Sequence, residues 1–236
     1  MSEKCENAAS VELPDFYETV AADVLDYVGH SDGVWLDIGS GGGGLGLAVA
    51  AKCTGPVVLL DPDIGALSNA LAQAETRGLA GRIVAVVGNA ERMPLHDGSV
   101  AFVVSRGSFW FWEDRVQGLR GIYRVMRVGG KAMVGGGLGS RYPEWARREF
   151  IRRRRGSTGA EGPEAARRFS EDRSPETFRR LAQEAGLPSF EVIGEGRLGP
   201  DDPKTGIGVW LEWREVKRFI CGATKAASRH RVCFEN

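Results

Sequence analysis

Apolar positions over the first 140 residues alternate between short unbroken runs and wider amphipathic spacings. Phe16, Val20, Val24 and Val28 recur every four residues, which predicts a helix over 14–29 with one apolar face. Val34-Trp35-Leu36-Asp37-Ile38 reads as a strand that runs straight into glycine, with a helix following over about 44–53. Val57 to Leu60 is a second apolar run, closed by Asp61-Pro62. Ile64, Leu67, Leu71 and Ala74 mark the face of the next helix, which ends near Gly78. Ile83 to Val87 and Ala101 to Ser105 are the third and fourth strands, separated by a turn-rich stretch. Glu113 to Arg127 reads as a helix with Val116, Leu119, Tyr123 and Met126 on one face, stopped by Gly129-Gly130. Lys131 to Val134 is a fifth strand. Continuous apolar strands separated by helices imply crossover connections and a parallel sheet covered on both faces.

The pattern changes after residue 140. Residues 141–172 are rich in arginine and poor in apolar residues. Ser174-Pro175 opens a helix with a good N-cap and proline at its first position, and Gly186 closes it. Phe190 to Ile193 and Ile207 to Trp213 then read as two strands that pair antiparallel, because no helix separates them. Residues 215–236 show no period and read as a C-terminal tail. The expected organisation is one domain over 1–214, with 141–172 as an insertion on its substrate side.

A chain of 236 residues is long enough for one α/β domain that needs no staples. Its 33 glycines are about twice the usual share and cluster in turns, at 39–46, 129–130 and 135–139. No run of 18 apolar residues is present, so no transmembrane helix is expected. Cys5, Cys53, Cys221 and Cys233 match neither a disulfide framework nor a zinc site, which fits a reducing cytoplasm and no bound metal. Net charge is zero but uneven: the first hundred residues hold 14 acids and 5 bases. A balanced total argues against a general nucleic-acid binder.

The chemistry concentrates between the first strand and its helix. Gly39, Gly41 and Gly44 satisfy G-x-G-x-x-G, and Asp61 lies 22 residues after Gly39, where a carboxylate accepts from ribose hydroxyls. That pattern fits NAD, FAD and S-adenosylmethionine alike. Asp37 tilts the choice. A carboxylate two residues before the first glycine is unwelcome to a pyrophosphate and welcome to a sulfonium cation. Asn89-Ala90, after the third strand, offers a side-chain oxygen to an adenine 6-amino group.

Four segments together resemble one family. Asp37 to Gly43 resembles the D-x-G-x-G-x-G motif of class I S-adenosylmethionine-dependent methyltransferases, and Asp61-Pro62 sits where their ribose-binding acid lies. Asn89 to Leu95 resembles their G-D-A-x-x-L-P-F segment. Leu119 to Lys131 is similar to the E-I-Y-R-V-L-K-P-G-G stretch of the small-molecule branch that includes ubiquinone and menaquinone biosynthesis enzymes. The resemblance covers roughly 11–214. It implies a Rossmann-like, doubly wound α/β fold of seven strands, mostly parallel, with the last strand antiparallel and helices on both faces. It implies methyl transfer from S-adenosylmethionine to a small-molecule acceptor. Asn89 departs from the family's usual Asp, Arg127-Val128 lacks the common proline, and Ser105-Arg106-Gly107-Ser108 lacks the motif of amide and nucleobase methyltransferases.

Carried onto this chain, the resemblance implies a cofactor site of Asp37, Gly39, Ser40, Gly41, Gly43, Asp61, Pro62, Asn89 and Ala90. Ser105 and Arg106 would border the methyl group, and Tyr17 on the first helix would close the pocket. Arg106 stands at the carboxyl end of strand four, where open α/β sheets bind ligands, and is a catalytic candidate that could hold the methionine carboxylate or an acidic acceptor, with a surface salt bridge as the plainer reading. Phe109-Trp110-Phe111-Trp112 beside it divides between core packing and the acceptor, with Trp110 and Trp112 as acceptor candidates. His96, in a polar turn, is the one histidine considered as a general base, with a solvated loop as the plainer reading. Arg147 to Arg155 reads first as a solvated charged face. Two rivals stand beside the methyltransferase: an NAD(P)-dependent oxidoreductase, and a non-catalytic protein that binds S-adenosylmethionine.

Overall fold

The computed structural model describes residues 12–29, 32–157, 174–188, 190–193 and 210–213. The tail, residues 158–172 of the arginine-rich insertion, His30, His230, Cys5, Cys221 and Cys233 lie outside them. In chain order the elements are α1 (Phe16–Val28), β1 (Trp35–Ile38), α2 (Gly44–Ala50), β2 (Val57–Asp61), α3 (Ile64–Thr76), β3 (Ile83–Val87) and β4 (Val100–Arg106). Then come α4 (Arg115–Val125), β5 (Met126–Gly135), α5 (Glu144–Ser157), α6 (Pro175–Glu184), β6 (Glu191–Ile193) and β7 (Trp210–Trp213).

Five parallel strands form the core of the sheet in the order β3-β2-β1-β4-β5. β1 lies at its centre, so all four of its residues are buried, Asp37 among them, and the strand has no solvent face. Side chains of successive residues point to opposite faces. Leu36 and Ile38 join Leu119, Ile122 and Phe178 on one face, while Trp35 joins Val20, Val24, Leu47 and Val49 on the other. Beyond β5, β7 pairs antiparallel with β5, and β6 antiparallel with β7. Side-chain caps fix the helix starts: Asp15 accepts from Tyr17 N, Asp63 from Gly65 and Ala66 N, Asp114 from Gln117 N, and Ser174 from Thr177 N. Each such cap stabilises its helix by about 1 kcal/mol.

Three expectations are corrected. Gly129-Gly130 does not end α4. The helix stops at Val125, and β5 begins at Met126, because pairing with β4 captures the chain at once. The pair of glycines instead serves an irregularity in that ladder, where Val100↔Met126 is followed by Phe102↔Lys131. Gly129 has φ +73° there, and a Cβ on Gly130 would crowd Arg127 and Ala101 carbonyls. On α3 the buried face is Leu67, Ala70 and Ala74, whereas Ile64 and Leu71 are exposed. Arg147 does not belong to a solvated face. It is 3% exposed, and its Nη2 donates to the Gly139 and Tyr142 carbonyls at 3.0 and 3.1 Å. Arg148, Arg152 and Arg153 are exposed as expected, paired with Glu144 or Glu149 one turn away.

Candidate active site

The carboxyl ends of β1, β2, β3 and β4 surround a cavity of about 540 Å³. Its walls include Gly39, Asp61, Pro62, Asn89, Ala90, Arg106 and Trp112 from the sequence candidates. Glu91, Ser108, Phe111 and Glu113 also line it. The volume lies in the range of small-molecule sites.

The glycine loop is a turn that only glycine makes cheaply. Gly39, Gly41 and Gly43 all hold positive φ, at +66°, +52° and +81°, whereas Gly44 is the first residue of α2. The left-handed positions thus follow the D-x-G-x-G-x-G spacing, not G-x-G-x-x-G. Gly39 and Ser40 N–H donate to the Leu60 carbonyl, which pins the loop to the end of β2. Asp61 completes the anchor: Oδ2 accepts from Gly41 N at 2.8 Å and Oδ1 from Asp63 N at 2.9 Å. Each carboxylate oxygen retains further acceptor capacity toward the cavity.

Asp37 lies beneath the loop, outside the cavity wall. It is 2% exposed, and its Oδ2 accepts from Gly46 N at 2.8 Å, so it ties β1 to the first turn of α2. Burial pushes its pKa up to about 7; the Gly46 hydrogen bond opposes this and the Asp61 charge adds to it. Ser40, Gly41 and Gly43 likewise shape the loop without lining the cavity. Tyr17 supports the same loop from outside, since a Cβ on Gly44 would lie 2.3 Å from its ring.

Asn89 lines the cavity, but its Oδ1 caps the following turn by accepting from Arg92 N at 3.1 Å. Ser105 reaches the site through Ser108, its hydroxyl 2.7 Å from Ser108 Oγ. Ser108 Oγ in turn donates to the Ile38 carbonyl at 2.8 Å, and Trp112 Nε1 donates to Ser108 Oγ at 3.3 Å. Sequence reasoning quoted Ser108 without giving it a role. The signal was its place between Gly107 and an aromatic run, but the latch to β1 is a tertiary fact.

Arg106 occupies the far side of the cavity. Its guanidinium carbon stands 4.1 Å over the Phe16 ring and 5.4 Å from that of Tyr17, and Nε donates to the Gly137 carbonyl at 2.9 Å. The aromatic loop splits. Phe109 is fully buried and stacks on Phe178 at 5.0 Å, and Trp110 meets both rings edge-on, so Trp110 packs against the core and does not line the cavity. Phe111, 81% exposed, and Trp112 border the cavity. His96 is removed from the site altogether: it is exposed in the turn before β4, while the cavity lies past that strand's other end. A seven-residue strand separates the two by roughly 20 Å. No group of three or more His, Cys, Asp or Glu among the described residues is placed to hold a metal. No helix among them is long and apolar enough to cross a membrane.

Residues 36–134 match the family of methyltransferase domains. A 2-methyl-6-phytyl-1,4-hydroquinone methyltransferase of Arabidopsis thaliana chloroplasts is 33% identical over 124 residues, 51% of this chain and 34% of its own length. The chain therefore spans about a third of that curated relative. A crystal structure from Methanococcus maripaludis, described as a candidate S-adenosyl-L-methionine-dependent methyltransferase, superposes with a TM-score of 0.73 at 28% identity over 87% of both chains. A methyltransferase from Aquifex aeolicus superposes with a TM-score of 0.57 at 18% identity over 84% of this chain and 91% of its own, a likeness of fold.

Proposed function

We propose, from the premise that residues 36–134 are a class I S-adenosylmethionine-dependent methyltransferase domain, that this chain methylates a small-molecule acceptor by in-line displacement. The observation that carries the reading is the loop of three left-handed glycines anchored by Asp61 at the lip of the cavity. When bound, S-adenosylmethionine supplies an electrophilic methyl on a sulfonium that is already a good leaving group. The residues fit it. Gly39, on the loop that Ser40 to Gly43 shape, would take its amino-acid part and ribose, Asp61 with Pro62 the ribose hydroxyls, and Asn89-Ala90 the adenine.

The chain's own work is to align and to exclude water. Orientation of two bound reactants can contribute up to about 7–11 kcal/mol. Ser105 and Ser108 hold the β4 loop against β1, which fixes the wall beside the acceptor. The hydroquinone acceptor in the name of the Arabidopsis relative supports a small organic acceptor here. The reading includes one domain over 1–214 with a seven-strand sheet whose last strand is antiparallel, supported by the β5–β7 and β6–β7 pairings. It also includes a cytoplasmic setting, supported by the cysteine spacings.

The test is incubation of the purified chain with methyl-labelled S-adenosylmethionine and fractionated cell extract. Label in a small-molecule fraction is expected. Calorimetric binding of NADH without binding of S-adenosylmethionine overturns the reading in favour of an oxidoreductase. Cofactor binding without transfer to any fraction overturns it in favour of a non-catalytic binder.

A further inference from the structure

We infer that the chain self-associates through the free edge of β3, two copies being related by a two-fold axis at Ala85 with their β3 strands paired antiparallel. The inference does not depend on the methyltransferase reading. Its ground is the unequal finish of the two sheet edges. β6, at one edge, is three residues long and carries Glu191. β3, at the other, runs Ile83-Val84-Ala85-Val86-Val87, with no charge, no proline and no break in its register with β2. Among the described residues no strand lies beyond it. Edge strands of folded proteins are ordinarily kept short, charged, bulged or covered, because a row of unpaired N–H and C=O groups pairs readily with another strand.

The surface around this edge is apolar. Ile64, Leu71, Val84 and Val87 are four of the seven large apolar residues exposed among those described. Contiguous exposure of this kind marks an interaction surface. Ile83 and Ala85 point to the face of the sheet that α3 covers, and Val87 shares their side. On α3, Gln73 flanks one side of the buried stripe of Leu67, Ala70 and Ala74 and donates to the Gly42 carbonyl, just before α2. Ile64 and Leu71 flank the other side of that stripe, so they look out over the edge of β3.

The edge is complementary to itself. An antiparallel pair centred on Ala85 sets Ile83 opposite Val87 of the second copy and Val84 opposite its Val86. Each exposed valine gains an apolar partner, and no like charges face one another. Arg82, the base next to the strand, is turned inward: its guanidinium donates to the Ala50, Cys53 and Gly55 carbonyls, which keeps its charge off the two-fold contact. Ile64 and Leu71 of both copies come to lie on one face of the joined sheet, beside the Ile83–Val87 pairs. The carboxyl ends of the two sheets then point in opposite directions, so both cavities stay open.

The test is sedimentation velocity of the full chain across the micromolar range, where a monomer–dimer equilibrium is expected. Val84→Lys sets a lysine opposite Val86 of the second copy and should leave only monomer at concentrations where the wild type is dimeric. Ile64→Lys, at a helix position 65% exposed, should weaken the dimer as well. Circular dichroism and thermal melting confirm that both variants fold. Ala85→Cys reads the register without disrupting the contact. Directly opposed residues of an antiparallel pair have Cα atoms about 4.5–5.5 Å apart, a separation that a disulfide spans. Mild oxidation should therefore join two chains through position 85, identified by mass spectrometry of the linked peptide. A chain that stays monomeric throughout overturns the proposal. So does a dimer that persists undiminished in both lysine variants, or one in which position 85 fails to join its own copy.

Discussion

Replacing Gly39 by alanine tests whether the glycine loop is closed by the Ser108 latch. Two costs separate cleanly. Gly39 has φ +66°, where an alanine is strained by about 1–2 kcal/mol. A Cβ there would also lie 2.1 Å from Ser108 Cβ and 2.4 Å from its Oγ, an overlap of the kind that costs about 1–3 kcal/mol to relieve. Gly39→Ala should therefore lower stability by about 2–5 kcal/mol. Ser108→Gly removes the atoms that would be struck, at the expense of the bonds to Ile38 and Ser105, about 1–2 kcal/mol. In that background Gly39→Ala should cost only the backbone strain, so the double-mutant cycle should show a favourable coupling of about 1–3 kcal/mol. Denaturant unfolding of the four proteins measures it. An equal cost of Gly39→Ala in both backgrounds would refute the latch as the reason the loop needs a bare residue at 39.

Other substitutions probe the neighbouring groups. Asp61→Ala should weaken S-adenosylmethionine binding by about 1.5–3 kcal/mol, read by calorimetry, and should lower the melting temperature because Gly41 and Asp63 N–H lose their acceptor. Asp37 is protonated more readily folded than unfolded, so its contribution favours the fold at low pH and is lost as pH rises from about 4 through about 7. Asp37→Asn keeps an acceptor for Gly46 N and should flatten that loss, gaining about 2–3 kcal/mol on wild type between pH 5 and pH 8 in denaturant titrations; parallel pH profiles would count against it. His96→Ala should leave the methyl-transfer rate unchanged across pH, and a tenfold fall would show that the turn before β4 takes part after all.

The sequence carried the parallel core because each of its strands is a local pattern. Val57 to Leu60 is apolar throughout and Trp35 to Ile38 is apolar except for Asp37, the pattern of strands buried on both faces. The glycine turn was legible for the same reason: Gly39, Gly41 and Gly43 act through their own backbone, and Asp61, which anchors them, ends a strand. What escaped was decided by partners far along the chain. Arg147 looks like one more base in a charged run, yet carbonyls at 139 and 142 bury it. Trp110 and Trp112 are two residues apart in one aromatic run, and only the arrival of Phe178 from α6 assigns one to the core and leaves the other beside the cavity. His96 was a candidate by residue type alone. Type says nothing about which end of β4 a loop occupies, and that end decides whether a base reaches the substrate.

The charge beneath the loop bears on ligand choice in a way that can be measured. Asp37 and Asp61 are 2% and 8% exposed and repel one another, which is part of why the first is held up to about 7. A buried acid so placed is a cost to the empty protein above neutral pH. A cation bound over the loop offsets that cost by drawing the Asp37 pKa down, and a pyrophosphate would drive it further up. The two ligand classes therefore move protons in opposite directions. Near pH 6.5, binding of S-adenosylmethionine should release a fraction of a proton from wild type, and Asp37→Asn should release less. Calorimetry in two buffers of different ionisation enthalpy reads the number directly. Proton uptake on binding, or release of the same size in Asp37→Asn, would mean that the carboxylate under the glycines does not sense the sulfonium, and that its place there is owed to the Gly46 hydrogen bond alone.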